Sequence, residues 1–271
     1  MKLGISTYTF PWWIGVPGHV PSRPLSAFDL LRLASEYKLK SLQFGDNLPL
    51  HLLPVTDIEN LVDEAGNHAI GLEVGTRGLK EQNLLQYLKI AQKARSPFLR
   101  VVIDDADFHP SEKEVINIIK SIIPAFRQSD VVLAIENHDR FPAQSLKHII
   151  QQTDADYVGI CLDTANSLGA GEGINEIIEI LAPHTVNLHI KDFKVQRLDH
   201  KMGFLVEGCA AGKGTLNIKA IIDKLEVHKK CRSATLEIWS VPEKNLDETL
   251  RRERSWAEES IQYLKGLGCF E

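Results

Sequence analysis

Residues 131–138 read Val131-Val132-Leu133-Ala134-Ile135-Glu136-Asn137-His138: an apolar run with no polar alternation that ends on an acid, an amide and an imidazole. Such a run suits a strand buried on both faces of a parallel sheet. The pattern repeats on both sides. A helical stretch over 144–151 leads to the apolar run Gly159–Leu162, one over 174–181 to Val186–Ile190, and one over 218–228 to Ala234–Ile238. Toward the N-terminus lie Leu3–Thr7, Ser41–Phe44, Gly71–Val74 and Leu99–Ile103, separated by helical patterns over 27–37, 58–68, 82–93 and 113–126. A last helical pattern covers 247–264. Ser111-x-x-Glu114 and Thr56-x-x-Glu59 have the spacing of capping boxes, in which each side chain satisfies a free amide at a helix start. Eight strand-then-helix units with no linker predict an α/β protein, a single (β/α)8 TIM barrel over residues 1–271. A doubly wound open sheet is the alternative.

Composition narrows the field of partners. The chain has 271 residues, 44% hydrophobic and 25% charged, with 31 Lys+Arg against 36 Asp+Glu and a net charge of −5. This is neither a collagenous, a disordered nor a disulfide-scaffold composition. A mildly acidic chain offers no electrostatic footprint for nucleic acid or an anionic membrane surface, so neither is an expected partner. Cys161, Cys209, Cys231 and Cys269 contain no C-x-x-C pair. Reduced thiols in a cytoplasmic protein are the expectation. Met1-Lys2-Leu3-Gly4-Ile5 lacks the basic and apolar regions of a signal peptide, and no apolar run approaches the length of a membrane helix.

The chemistry gathers at the strand ends. The fifth strand ends Ile135-Glu136, the sixth Leu162-Asp163, the seventh carries Leu188-His189-Ile190, and the eighth Leu236-Glu237-Ile238. Each therefore presents one hard-metal ligand at its C-terminal end: Glu136, Asp163, His189 and Glu237. Neighbouring strands lie roughly 4.8 Å apart, so four such side chains can converge on one ion. A lone acid after a strand is usually a cap or turn former, but four ligands on consecutive strands at the same end are not explained that way. Three carboxylates without a cation would also repel one another at a cost of several kcal/mol. The set favours Mn²⁺ or Mg²⁺, with Co²⁺ and Zn²⁺ possible.

The segments Ile135-Glu136-Asn137-His138, Leu162-Asp163-Thr164-Ala165-Asn166, Leu188-His189-Ile190-Lys191-Asp192 and Leu236-Glu237-Ile238 resemble the xylose-isomerase-like TIM barrels, the superfamily of sugar phosphate isomerases and epimerases. The resemblance implies one divalent metal ion, frequently Mn²⁺, on Glu136, Asp163, His189 and Glu237. It also implies that Glu136 and Glu237 are the acid/base pair, that the substrate is a carbohydrate, and that the chain forms a homo-oligomer. The expected function is a sugar isomerase or epimerase acting through an enediolate on a keto- or aldo-sugar. A metal-dependent lyase or dehydratase on an oxidised sugar (an inosose or a 3-keto-glycoside) and a non-catalytic sugar-binding barrel are the alternatives. Two departures bear on this choice. Asn166 stands where ketose 3-epimerases place a His, and Lys191, or farther on Arg197, stands for an Arg that follows the metal His. The same Asn166 argues against the trinuclear-zinc DNA-repair branch of the fold.

Further candidates follow from position. His138 and Asn166 can bind substrate hydroxyls, and Lys191 an enolate or another substrate oxygen, unless it pairs with Asp192 or Glu207. Two long stretches, 8–24 and 191–216, follow the first and seventh strands on the face that carries active sites in barrels. Trp13, with Phe10 and Trp12, can wall a sugar ring, and Arg197 can reach it. Arg100 lies within a strand, where a lone guanidinium is costly, so Glu73 or Glu136 is its expected partner. Gly212-Lys213-Gly214 lacks the full phosphate-loop pattern and reads as a mobile loop.

Overall fold

Every second side chain of the barrel strands points inward, and much of the inward set is polar. The computed structural model describes residues 1–271. Its barrel strands are β1 (Lys2–Ser6), β2 (Ser41–Phe44), β3 (Gly71–Arg77), β4 (Phe98–Val102), β5 (Val132–Glu136), β6 (Val158–Asp163), β7 (Thr185–Ile190) and β10 (Ser233–Leu236). They close in the order β1-β10-β7-β6-β5-β4-β3-β2, all pairs parallel. The closed (β/α)8 barrel expected from the strand rhythm is therefore the architecture, not the open sheet. Helices α2 (Ala27–Glu36), α3 (Val55–Asn67), α4 (Glu81–Lys93), α5 (Glu112–Ser129), α6 (Ala143–Gln152), α7 (Ile174–Leu181), α8 (Ile218–Glu226) and α9 (Leu246–Gly266) alternate with the strands. No helix is long and apolar enough to cross a membrane.

The strands are buried on both faces, but the two faces differ. Leu42, Val74, Leu99, Val101, Leu133, Ile135, Ile160, Leu162, Leu188 and Ile190 join a cluster of 62 buried apolar residues shared with the helices. The alternate residues Gln43, Glu73, Arg100, Glu136, Asp163, Asn187 and His189 are equally buried. A small apolar cluster of Phe98, Val132, Ala134, Cys161 and Val186 is separate from the large one. The alternation absent from β5 is thus written into β2, β3, β4 and β7 as single polar residues between apolar ones.

Of the two capping boxes expected from spacing, one forms. Ser111 and Glu114 form the expected capping box at α5, and Ser26 with Asp29 forms another at α2. Thr56 does not cap: α3 starts at Val55 behind Pro54, whose fixed φ opens the helix one turn early, and has no side-chain cap. The 8–24 stretch holds the short helix α1 (Pro11–Ile14). The 191–216 stretch holds an antiparallel hairpin, β8 (Phe193–Arg197) with β9 (Phe204–Gly208), that projects from the barrel.

Candidate metal centre

Register brings the four candidate ligands together. Asp163 on β6 lies opposite His189 on β7, His189 in turn opposite Thr235 on β10, and Glu136 on β5 opposite Cys161 on β6. Glu237 follows β10 directly, its N–H donating to the Ile190 carbonyl. His189 Nδ1 then sits 3.4 Å from Glu237 Oε1, 3.6 Å from Glu136 Oε2 and 3.8 Å from Asp163 Oδ2. All four residues are buried.

Each of the four side chains is held by its other atoms. The Ala165 and Asn166 amides donate to Asp163 Oδ1 at 2.8 and 2.9 Å, leaving Oδ2 facing the cluster. Ser6 Oγ donates to Glu237 Oε1 at 2.9 Å. His189 Nε2 lies 2.7 Å from Gln43 Oε1; Gln43 Nε2 is itself committed as donor to Glu73 and Asn187. Gln43 Oε1 can only accept, so the imidazole carries its proton on Nε2 and turns the Nδ1 lone pair inward. Asp163 Oδ2, His189 Nδ1 and Glu237 Oε2 are buried with no hydrogen-bond partner. Three orphaned donor atoms around one point fit a divalent cation, and hard oxygen donors with one imidazole suit Mn²⁺ or Mg²⁺.

Glu136 differs from Glu237. Asn166 Nδ2 donates to its Oε1 at 2.8 Å, and Arg100 Nε donates to its Oε2. Arg100, 3% exposed, also donates from Nη1 to Asp46 Oδ1 at 3.0 Å; Arg77 Nε takes Asp46 Oδ2 at 2.8 Å. Of the two partners expected for Arg100, Glu136 is the one it meets. Burial favours a neutral Glu136, but Arg100, His189 and Lys191 outweigh it and hold the carboxyl below its ordinary range. The same opposition, with His189 and Lys191 ahead of Arg100, drives Glu237 well below. Burial opposes charge on His189 as well, yet Glu237 and Glu136 raise its pKa. Cys161 is kept protonated by burial and the neighbouring Glu136, and donates to Asn187 Oδ1, so it lies outside the hard-donor set.

Lys191 reaches the cluster rather than Asp192 or Glu207. Its Nζ lies 2.9 Å from Asp163 Oδ2 and 3.0 Å from Glu237 Oε2, at ion-pair distance although neither contact is aligned as a hydrogen bond. Asn166 and Lys191 also line a cleft of about 370 Å³ with Asp139, Val206 of β9 and Trp239. Trp239 and Val206 had no signal in the strand pattern, because the first lies beyond β10 and the second on the hairpin.

Other expected site residues lie elsewhere. His138 pairs with Asp139 at 3.2 Å and borders a narrow crevice beside Glu136 and Arg140. Trp13 faces away from the cluster: its Nε1 donates to the Leu250 carbonyl, and it lines a cavity against Leu33 of α2 and Arg254 of α9. The Glu253 carboxylate accepts the Trp12 and Trp13 amides, which fixes that orientation. Arg197 stacks on Phe204 at 4.3 Å across the hairpin and is exposed. The Gly212–Gly214 loop is pinned, not free: Gly212, Gly214 and Leu216 amides all donate to the buried carboxylate of Asp192. A side chain at position 214 would collide with that carboxylate, so glycine is required for the close approach. An internal anion therefore fills the amide nest that a phosphate would need.

A family model described as "xylose isomerase-like TIM barrel" matches residues 76–267. The 3-oxo-isoapionate decarboxylase of Pectobacterium atrosepticum is 31% identical over 264 residues, covering 97% of this chain and 95% of that protein. Among solved structures, the D-psicose 3-epimerase of Clostridium cellulolyticum H10 superposes with a TM-score of 0.73 at 15% identity, covering 98% of each chain. A xylose isomerase-like TIM-barrel protein of Mycobacterium smegmatis in complex with magnesium gives 0.69 at 13% identity over 97% of each chain.

Proposed function

The chain belongs to the xylose isomerase-like TIM-barrel family, and from that premise we propose that it is a divalent-metal-dependent lyase that removes the carboxylate of a 3-oxo sugar acid as CO₂. The observation that carries this reading is the state of Glu136. Both its oxygens accept hydrogen bonds, one from Arg100 and one from Asn166, and its pKa is held down. Epimerisation needs two carboxylates able to exchange a proton with carbon from opposite sides, and isomerisation needs a base that shuttles one. Glu136 in this setting is a fixed anionic ligand and a poor base. Decarboxylation asks for no strong base, because the bond that breaks is C–C. The name of the 31%-identical relative points the same way.

A divalent ion, Mn²⁺ or Mg²⁺ by its donors, would be held by Glu136, Asp163, His189 and Glu237 and would supply Lewis-acid polarisation of the 3-oxo group. The chain's own residues orient that centre. Gln43 holds the His189 ring, Ser6 holds Glu237, and the Ala165 and Asn166 amides hold Asp163. The bond between the carboxylate carbon and C2 breaks, and its electron pair passes to the C2–C3 unit. CO₂ leaves, and one proton taken up from water completes C2, so the product is a ketose one carbon shorter.

The test is incubation of the Mn²⁺-loaded protein with 3-oxo aldonates in D₂O. The expected result is CO₂ released in one-to-one ratio with a ketose carrying a single deuterium. Recovery of deuterated substrate of unchanged formula would instead establish isomerase or epimerase chemistry. Loss of water would establish a dehydratase, and no turnover with any oxidised sugar would overturn the enzyme reading. Glu237→Gln is expected to lower turnover by about a hundredfold or more while the fold is kept, read by assay and by circular dichroism.

A further inference from the structure

Lys191 occupies an unusual place for a substrate-binding lysine. Its ammonium lies against the two carboxylate oxygens, Asp163 Oδ2 and Glu237 Oε2, that otherwise have no partner. Those are the lone pairs a divalent ion takes, at about 2.0–2.2 Å for ions of the Mg²⁺ or Zn²⁺ class. An ammonium and a divalent ion cannot share them, because both need the same oxygens and like charges a few ångströms apart repel strongly in a buried site.

Glu136, Asp163 and Glu237 contribute three negative charges, and the buried Arg100 and Lys191 two positive ones, leaving one net negative charge around a neutral His189, the form whose Nδ1 lone pair can take a metal. The outer pair Asp46 and Arg77 cancel. A divalent ion turns the balance to one net positive charge. A site this buried does not keep an unmatched charge without penalty. Lys191 can move, since its side chain is 14% exposed and lines the cleft together with Asn166 and Trp239.

We propose that Lys191 is an exchangeable internal cation: it holds Asp163 and Glu237 together until a divalent ion enters, and is then released into the cleft, where its ammonium binds the carboxylate of an anionic substrate. The exchange stands on the ligand geometry alone. The choice of a carboxylate rests on the lyase reading above. Ion and anion binding are coupled, so each tightens the other by the same factor.

Titration calorimetry with Mn²⁺, and with D-gluconate against its neutral counterpart D-glucitol, tests both halves without turnover. Lys191→Met is expected to bind Mn²⁺ at least tenfold more tightly than the native chain, and its metal-free form to melt several degrees lower. Equal or weaker Mn²⁺ binding by the variant would overturn the exchange, whatever reaction the enzyme performs. In the native chain, Mn²⁺ is expected to raise gluconate affinity at least tenfold and leave glucitol unchanged. This measurement needs no variant, so it stands even if Lys191→Met fails to fold. Equal effects on the two ligands would overturn the carboxylate subsite while the CO₂ assay judges the lyase reading separately.

Discussion

Two buried layers of this barrel are built on opposite principles. Between strands and helices, 62 apolar residues pack with no need of specific partners beyond shape. Within the barrel, Gln43, Glu73, Arg100, Glu136, Asp163, Asn187, His189 and Glu237 are as deeply buried, and each depends on named hydrogen bonds or ion pairs. The outer layer tolerates any side chain of suitable volume, whereas removal of one inner partner strands another. Fold and chemistry are thus separated by a single strand's thickness.

The largest effect is expected for Arg100→Met. It takes the charged donor from Glu136 Oε2 and from Asp46 Oδ1, and a loss of about 3–5 kcal/mol is expected in denaturant unfolding of the metal-free protein. A loss under about 1 kcal/mol would mean that the inner layer is not held by its charges. Next comes Leu133→Ala in the outer layer, expected to cost about 2–5 kcal/mol by cavity formation. Mn²⁺ affinity of the folded variant should be unchanged; a concurrent loss of affinity would show the layers to be coupled. Gln43→Leu reverses the pattern. It removes the acceptor that orients His189, so Mn²⁺ affinity should fall by about 10–100-fold in calorimetry, with a smaller effect on stability.

The smallest effect is the pH dependence of the metal-free protein. Glu136 and Glu237 are depressed below 4.5, so their stabilisation is present above that pH and is lost as pH falls through the lower folded values. His189 is raised above 6.5, so its contribution is present below 6.5 and is lost as pH rises through the folded value. The melting temperature should therefore peak between pH 4.5 and 6.5 and decline on both sides; a monotonic rise from pH 4 to 8 would contradict these shifts.

Much of the inner layer was readable in single polar letters between apolar ones. Leu188-His189-Ile190 and Leu99-Arg100-Val101 show it, and the Arg100 partner could be narrowed to two acids because a lone buried guanidinium is costly. Gln43, in Leu42-Gln43-Phe44, carries the same signal. Asp46 does not, since it lies in the turn after β2 and meets Arg100 only through barrel closure. Trp13 looked like a ring platform from its place after β1, but Glu253, 240 positions away, captures its amide and turns it outward. The pinned Gly212–Gly214 loop likewise depends on the Asp192 carboxylate reaching into it.

The one-dimensional pattern was enough to determine the barrel and the rim that Glu136, Asp163, His189 and Glu237 share, because strand alternation assigns each residue to a face and strand ends to one rim. Only the tertiary structure decided that Glu136 is bound on both oxygens and that Lys191 lies between Asp163 and Glu237. Those facts depend on distances across the barrel, which closure and register set and which spacing along the chain does not encode.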